Sequence, residues 1–214
     1  MNTLKLILLL GLGSLVSACA AIEVPGDTAT RNARFETQTP EFIHARPSLR
    51  VEEINVLVPK SLSVSERNSF VPIGDIVWRG DALGDRHEQV KAIFDNALNL
   101  GTSDLDGLVP VRLDVRVDRF HALTEKARYV TGGVHSIRFA VQLRNINTGE
   151  LIGEPRMVKT DLKAFGGKEA LMADARGETQ KVRITEHLSK VIYQELMMAG
   201  GFSTPKSGSH QVLN

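Results

Sequence analysis

Val109, Val111, Leu113, Val115 and Val117 alternate with Arg112, Asp114, Arg116 and Asp118. A period of two predicts a strand with one face buried and the other charged. Ile137, Phe139, Val141 and Leu143 repeat the pattern, and Asn147-Thr148-Gly149 is a turn signal that leads into a third run, Leu151 to about Leu162. Pro155 within that run marks a sheet margin or a bulge, because proline donates no ladder hydrogen bond. Upstream, Ile54, Val56 and Val58 alternate with Asn55 and Leu57, and Ile76-Val77-Trp78 forms a short apolar piece behind a turn at Pro72 to Gly74. The period then changes. Val90, Ile93, Phe94, Ala97 and Leu98 recur at helical spacing after Asp85, with Glu88 in the capping-box position and Gly101 as the stop. Ile184, Leu188, Val191 and Ile192, with Glu195 or Leu196, make the stripe of a last helix, which Gly200-Gly201 ends. The order β-β-α-β-β-β-α predicts an α+β domain over residues 49–201, a small antiparallel sheet with two helices packed on one face.

The flanks follow no such period. Lys5 is the only charge ahead of the apolar run Leu6 to Val16, and small residues follow it. Eleven helical residues rise about 17 Å, well short of the roughly 30 Å of bilayer hydrocarbon. These are the parts of a secretory signal peptide over residues 1–18. Val16-Ser17-Ala18-Cys19 resembles the lipobox of bacterial lipoproteins, and Cys19 is the only cysteine of the 214 residues. That resemblance implies cleavage before Cys19, diacylglycerol on its thiol and an acylated amine. Acyl chains contribute about 0.8 kcal/mol per buried methylene, so several together hold the protein at the membrane permanently. Ala20, where lipoproteins retained at the inner membrane of enteric bacteria commonly carry Asp, implies the outer membrane, facing the periplasm; inner-membrane anchoring stays open. Residues 19–48 carry Pro25, Gly26, Pro40, Pro47 and many polar residues. They read as a flexible tether with a reach of about 30 Å. Residues 202–214 read as a disordered tail.

Composition narrows the partners. Loss of Lys5 with the signal leaves 25 basic against 25 acidic residues, without the basic excess of a nucleic-acid binder. Aromatic residues make up 5% of the chain, too few for a base-stacking platform. A single cysteine leaves no intramolecular disulfide.

Each candidate for chemistry falls short of its motif. His87-Glu88 opens like a zinc-protease helix, but Lys91 occupies the place of the second histidine. His121 and His135 flank one inter-strand connection and could face each other as a metal pair, although histidines near a hairpin end are commonly plain surface residues. Asp104-x-Asp106-Gly107 starts like a calcium loop, yet Pro110, Arg112 and Val115 stand where further ligands belong. Gly166-Gly167-Lys168 lacks the spacing of a phosphate loop and reads as a hinge into a helical segment. Arg79-Gly80-Asp81 copies an integrin-binding tripeptide of a kind that recurs by chance. The expectation is therefore no enzyme, no cofactor and no metal, with Cys19 as a lipid-attachment residue.

VRLDVRVDRF (Val111 to Phe120) and IRFAVQLRNINTGELI (Ile137 to Ile152) resemble the auxiliary lipoproteins of ABC-type transporters and, more distantly, LPS-assembly lipoproteins. IVWRGDALGDRHEQVKAIFDNAL (Ile76 to Leu98) is similar to an uncharacterised alphaproteobacterial lipoprotein family. The resemblance implies a non-enzymatic, lipid-anchored adaptor in an envelope transport or assembly complex. The alternative is a module that holds a lipid or other small apolar ligand between sheet and helices. An adaptor would dock through a sheet edge or helix face. The margin strand from Leu151 to Leu162 could accept an added strand, or Met157, Lys159, Asp161 and Lys163 could guard it. A proline at Val158 or Thr160 is the expected way to tell these apart.

Overall fold

The computed structural model describes residues 48–198. Cys19, the signal peptide, residues 19–47 of the tether, Gly200-Gly201 and the tail lie outside the described residues. In chain order the elements are β1 (Leu49–Leu57), β2 (Ile76–Val77), α1 (Arg86–Thr102), β3 (Val109–His121), α2 (Glu125–Val130), β4 (Gly133–Asn145), β5 (Leu151–Ala164), α3 (Gly167–Ala175) and α4 (Gln180–Met197). The α+β class expected from the periodicity is the class observed.

The strands pair in the order β1-β3-β4-β5, and β2 continues the β1 side of β3 beyond the end of β1. β3, β4 and β5 are antiparallel, with Val115 opposite Val141 and Phe139 opposite Val158. The expectation of a wholly antiparallel sheet needs correction, because β1 and β2 both run parallel to β3. α1 carries the chain back along the sheet before β3 begins, and a crossover of that kind joins parallel strands. Side-chain alternation is the same for either direction, so the pattern could not distinguish them.

One face of the sheet holds the core. Val111, Leu113, Val115 and Val117 of β3 meet Ile137, Phe139, Val141 and Leu143 of β4, all essentially without solvent contact. α1 and α4 cover them with Val90, Ile93, Phe94, Leu98, Ile184, Leu188, Ile192 and Leu196. Phe94 packs edge-on against Phe139 at 5.3 Å between centroids, and Trp78 does the same to Phe120 at 5.7 Å. Full burial of each such side chain contributes about 1.5–3 kcal/mol, so this layer dominates the stability.

Local signals explain the element ends. Asp85 caps α1 by accepting from the backbone N–H of His87 at 2.9 Å and of Glu88 at 3.2 Å. Lys60 bonds both Asp85 (2.9 Å) and Glu88 (3.3 Å), and chiefly by its hydrogen bond it lowers the Asp85 carboxyl to a pKa of about 2. The Asn145 side chain accepts from the N–H groups of Asn147 and Thr148, and Gly149 takes φ +74°, which closes the expected turn into β5. α1 does not stop at Gly101 but runs on to Thr102. A Cβ at residue 101 would lie 2.4 Å from the Ser189 carbonyl oxygen of α4, so the glycine serves helix packing.

The short helix α2 was not in the expected order of elements, whereas α3 is the helical segment expected behind Gly166-Gly167. Six residues are too few to display a helical period, although Thr124 caps α2 by accepting from Ala127 N at 3.2 Å. Gly166, read as a hinge, lies against backbone: a Cβ there would meet Gly132 N at 2.2 Å. It is a contact point between strand ends.

Candidate functional site

The face of the sheet opposite the helices is open, and the register assigns its side chains to rows. Glu53, Arg112, Arg144 and Leu151 form one row, then Asn55, Asp114 and Gln142, then Leu57, Arg116, Ala140 and Met157. Arg119, Arg138 and Lys159 form another, followed by His121, Ser136 and Asp161. The expected row of alternating charge is present and pairs along the strand: Arg112 with Asp114 at 3.0 Å and Arg116 with Asp118 at 2.9 Å. Asn55 donates to Asp114 at 3.0 Å, which ties β1 to the same cluster. Between these polar rows runs a shallow groove of about 250 Å³ lined by Leu57, Arg116, Ala140 and Gln142 among others. Leu57, which lines it, and Met157, opposite Ala140 in the same row, are about half exposed.

β5 forms the sheet margin on the side away from β1, as Pro155 indicates. Pro155 also marks a bulge, for β5 advances from Ile152 to Arg156 while β4 passes from Leu143 to Val141. Gly153 takes φ +67° there, and the Gln142 amide fills the gap by donating toward the carbonyls of Ile152 and Gly153 at 3.4 and 3.3 Å. Beyond the bulge, Arg183 of α4 donates to the Lys163 carbonyl at 2.8 Å, so that carbonyl turns away from β4. In an antiparallel pair, successive residues turn their backbone groups alternately toward and away from the neighbour. The free edge therefore carries the groups of Lys159 and Asp161. Those of Val158 and Thr160 turn toward β4, which makes these two the wrong positions for an edge-blocking proline.

The motifs that fell short in sequence are occupied by structural contacts. His121 lies opposite Ser136 on the open face and its Nε2 contacts the Gly74 carbonyl at 2.9 Å, whereas His135 points to the helix side and is buried. The two histidines thus stand on opposite faces and cannot share a metal. Burial foremost, helped by Arg183, Arg128 and His187, pushes the pKa of His135 down to about 3. His87 Nε2 contacts the Leu62 carbonyl at 3.1 Å, and Lys91 pairs with Asp95 at 2.7 Å. The Asp104–Gly107 turn docks on β1, with Gly107 N donating to the Leu49 carbonyl at 2.9 Å. Among the described residues no three His, Cys, Asp or Glu side chains converge on a point that could hold a metal ion.

Arg79-Gly80-Asp81 is bound into the fold. Arg79 pairs with Glu66 and Glu125, and Asp81 accepts from Trp78 Nε1 at 2.9 Å and Lys181 at 2.8 Å. Gly80 has no room for a side chain, because a Cβ would lie 2.3 Å from the Trp78 ring. Buried Arg86 bonds Glu66 twice, at 2.7 and 3.1 Å, and also the carbonyls of Asp81 and Ala82. That hydrogen bonding is the main reason the Glu66 carboxyl titrates below its ordinary range. The network fastens the segment before α1 to α2 and α4, and its charges satisfy one another.

Comparison with known proteins then places the chain. The sequence profile of a family of unknown function, DUF6778, matches residues 49–212. The chain belongs to DUF6778. The match takes in all of the described sheet and helices of this DUF6778 member, including the stretch Ile76 to Leu98. No curated protein matches it. Solved structures similar to this DUF6778 chain include a DUF330-family protein of Xanthomonas campestris, at 10% identity and TM-score 0.43, covering 73% of this chain and 89% of that one. A candidate lipoprotein of Caulobacter crescentus has 12% identity and TM-score 0.33, covering 67% and 87%. The PelC dodecamer of Paraburkholderia phytofirmans has 12% identity and TM-score 0.32, covering 70% and 91%. Scores this low leave the description of the DUF6778 fold resting on its own strands and helices.

Proposed function

We propose that this DUF6778 protein is a non-enzymatic lipoprotein of the bacterial envelope. It is held at the membrane by acyl chains on Cys19 and acts as an adaptor or auxiliary component of a transport or assembly complex. Ala20 supports outer-membrane placement facing the periplasm, with the inner membrane as the alternative. One observation carries the adaptor reading: β5 is a margin strand whose Lys159 and Asp161 backbone groups face outward, beside an open sheet face with half-exposed Leu57 and Met157. Such an edge pairs with a strand supplied by a partner. The rival reading, a module that encloses a small apolar ligand, wants a cavity between sheet and helices. Among the described residues that space is filled by side chains of the core, and hollows such as the one of about 280 Å³ beside Leu100 and Tyr193 are open grooves.

Asp161→Pro tests the edge. It removes an outward N–H without cutting the ladder to β4, so the melting temperature should stay near that of the parent while recovery of the partner complex falls. Val158→Pro should instead unfold the strand, since its N–H turns toward β4. An Asp161→Pro chain that stays folded and keeps every co-purifying protein would remove the β5 edge from consideration.

A further inference from the structure

Ser69-Phe70-Val71-Pro72-Ile73 joins the segment after β1 to β2, and its apolar residues point outward: Val71 is 84% exposed and Ile73 89%. Exposed apolar tips on a slack loop would mean little, but both ends of this one are pinned. Thr124 donates to the Ser69 carbonyl at 2.8 Å, and Lys126 N donates to the Asn68 side chain at 2.9 Å. At the other end Asp75 N donates to the Ser63 carbonyl at 2.8 Å, and His121 contacts the Gly74 carbonyl. The fold therefore holds two large hydrophobic side chains in water.

Cations surround them. Lys126 Nζ lies 4.9 Å from the Phe70 ring centre, and Arg119 lines the same hollow as Phe70, Val71 and Pro72. Arg119 is also the first member of the row Arg119–Arg138–Lys159 across three strands of the open face. Like charges directly opposite on neighbouring strands destabilise a sheet. Among the described residues none of these three forms an ion pair, unlike Arg112 and Arg116 in the rows above. Asp75 bonds Ser63 and feels the Arg119 charge without forming an ion pair with it, Asp118 pairs with Arg116, Glu125 pairs with Arg79, and Asp161 stands one row further along.

We propose that loop 70–73 and the Arg119–Arg138–Lys159 row form a second membrane contact, in which Val71 and Ile73 enter the acyl boundary of an anionic phospholipid surface while the cations sit among its phosphates. Charge complementarity selects the occupant. Two projecting tips need a fluid medium that closes around them, and a bilayer supplies it without a matching pocket. A row of unpaired cations gains from an anionic headgroup layer. The contact would turn the open sheet face toward the membrane. It adds an orientation to the membrane reading proposed above and does not depend on Cys19 acylation.

The test uses the full chain reconstituted in vesicles of phosphatidylcholine with or without phosphatidylglycerol, with a nitroxide at Val71→Cys or Ile73→Cys. A label at Leu108→Cys, at the far end of β3, is the control, and the parent chain supplies the background from Cys19. In anionic vesicles the labels at 71 and 73 should lose contact with a water-soluble nickel quencher and gain contact with oxygen, while the label at 108 stays in water. The combined variant Arg119→Gln, Arg138→Gln, Lys159→Gln should return both labels to water with a melting temperature no lower than the parent's, because it relieves like-charge repulsion. Labels at 71 and 73 that remain as wet as the one at 108 would overturn the proposal, as would shielding that appears only when a protein partner is added. Insertion that is equal without phosphatidylglycerol, or in the combined variant, would overturn the role of the cations. Failure of the Cys19 anchor reads differently, as a free thiol in the parent chain.

Discussion

Replacing Gly101 by Ala asks whether the close contact of α1 and α4 is a packing constraint or an accident of a helix end. Helix propensity alone favours alanine by about 1 kcal/mol in a helix interior. Against that, the added methyl would sit 2.4 Å from the Ser189 carbonyl oxygen and 2.5 Å from Ile192 Cγ2. Ordinary contact begins near 3.4 Å, so the axes must part by about 1 Å, because a backbone carbonyl cannot swing aside as a side chain can. A gap of that size forfeits a quarter to a half of the dispersion between facing atoms. The atoms affected belong to Leu98, Leu188 and Ile192, all in the core. Overpacking costs typically 1–3 kcal/mol, and a clash with backbone belongs at the upper end. The net expectation is a loss of about 2 kcal/mol, or a melting temperature lower by roughly 4–8 °C for a chain of this size. Urea and thermal unfolding followed by far-ultraviolet circular dichroism measure it. A Gly101→Ala chain as stable as the parent, or more so, would refute the reasoning and restore Gly101 as a plain helix terminator.

Two further predictions concern acid and lipid. Because His135 is held neutral down to a pH of about 3, while an unfolded histidine protonates near its ordinary value of 6.5, the unfolded state binds more protons between them. Stability contributed at neutral pH is therefore lost as pH falls through that window, by about 2 kcal/mol from pH 7 to pH 5. His135→Leu should flatten the loss, and the difference between the two chains separates His135 from His121 and His187, which burial also lowers. Equal pH dependence in both chains would show that His135 is not the group responsible. Cys19→Ser should abolish acylation and leave the precursor unprocessed, or release a soluble product if another peptidase cuts nearby; a free Cys19 thiol in wild-type material, seen by mass spectrometry, would end the lipoprotein reading.

Much of the fold is local information, and for that reason it was legible. A period of two in Val109 to Val117 can be satisfied by one arrangement, a strand with a wet face and a dry one, whatever packs above it. Asp85 acts through backbone groups two or three residues away, and Asn147-Thr148-Gly149 is a contiguous turn signal, so the start of α1 and the turn before β5 could be read directly. Pro155 announced a margin or a bulge because it lacks a donor wherever it is placed, and β5 has both. The lipobox resemblance at Cys19 likewise rests on neighbouring residues alone, and its acylation is the proposal that the Cys19→Ser comparison tests.

What the sequence left open depends on residues far apart in the chain. The parallel direction of β1 and β2 is set by the return of the chain through α1, and alternation is blind to direction. Gly101 and Gly166 looked like a stop and a hinge; their neighbours at Ser189 and Gly132 lie 88 and 34 positions away. The Arg119–Arg138–Lys159 row exists only in the register of three strands, and the bulge at Asp118 shifts that register by one residue. His121 and His135 flank the same connection, but one extra residue of pleat sends them to opposite faces. Side-chain chemistry is written in the chain one position at a time, whereas the faces that can meet a partner or a membrane are assembled across strands, and only the tertiary structure decides which residues share them.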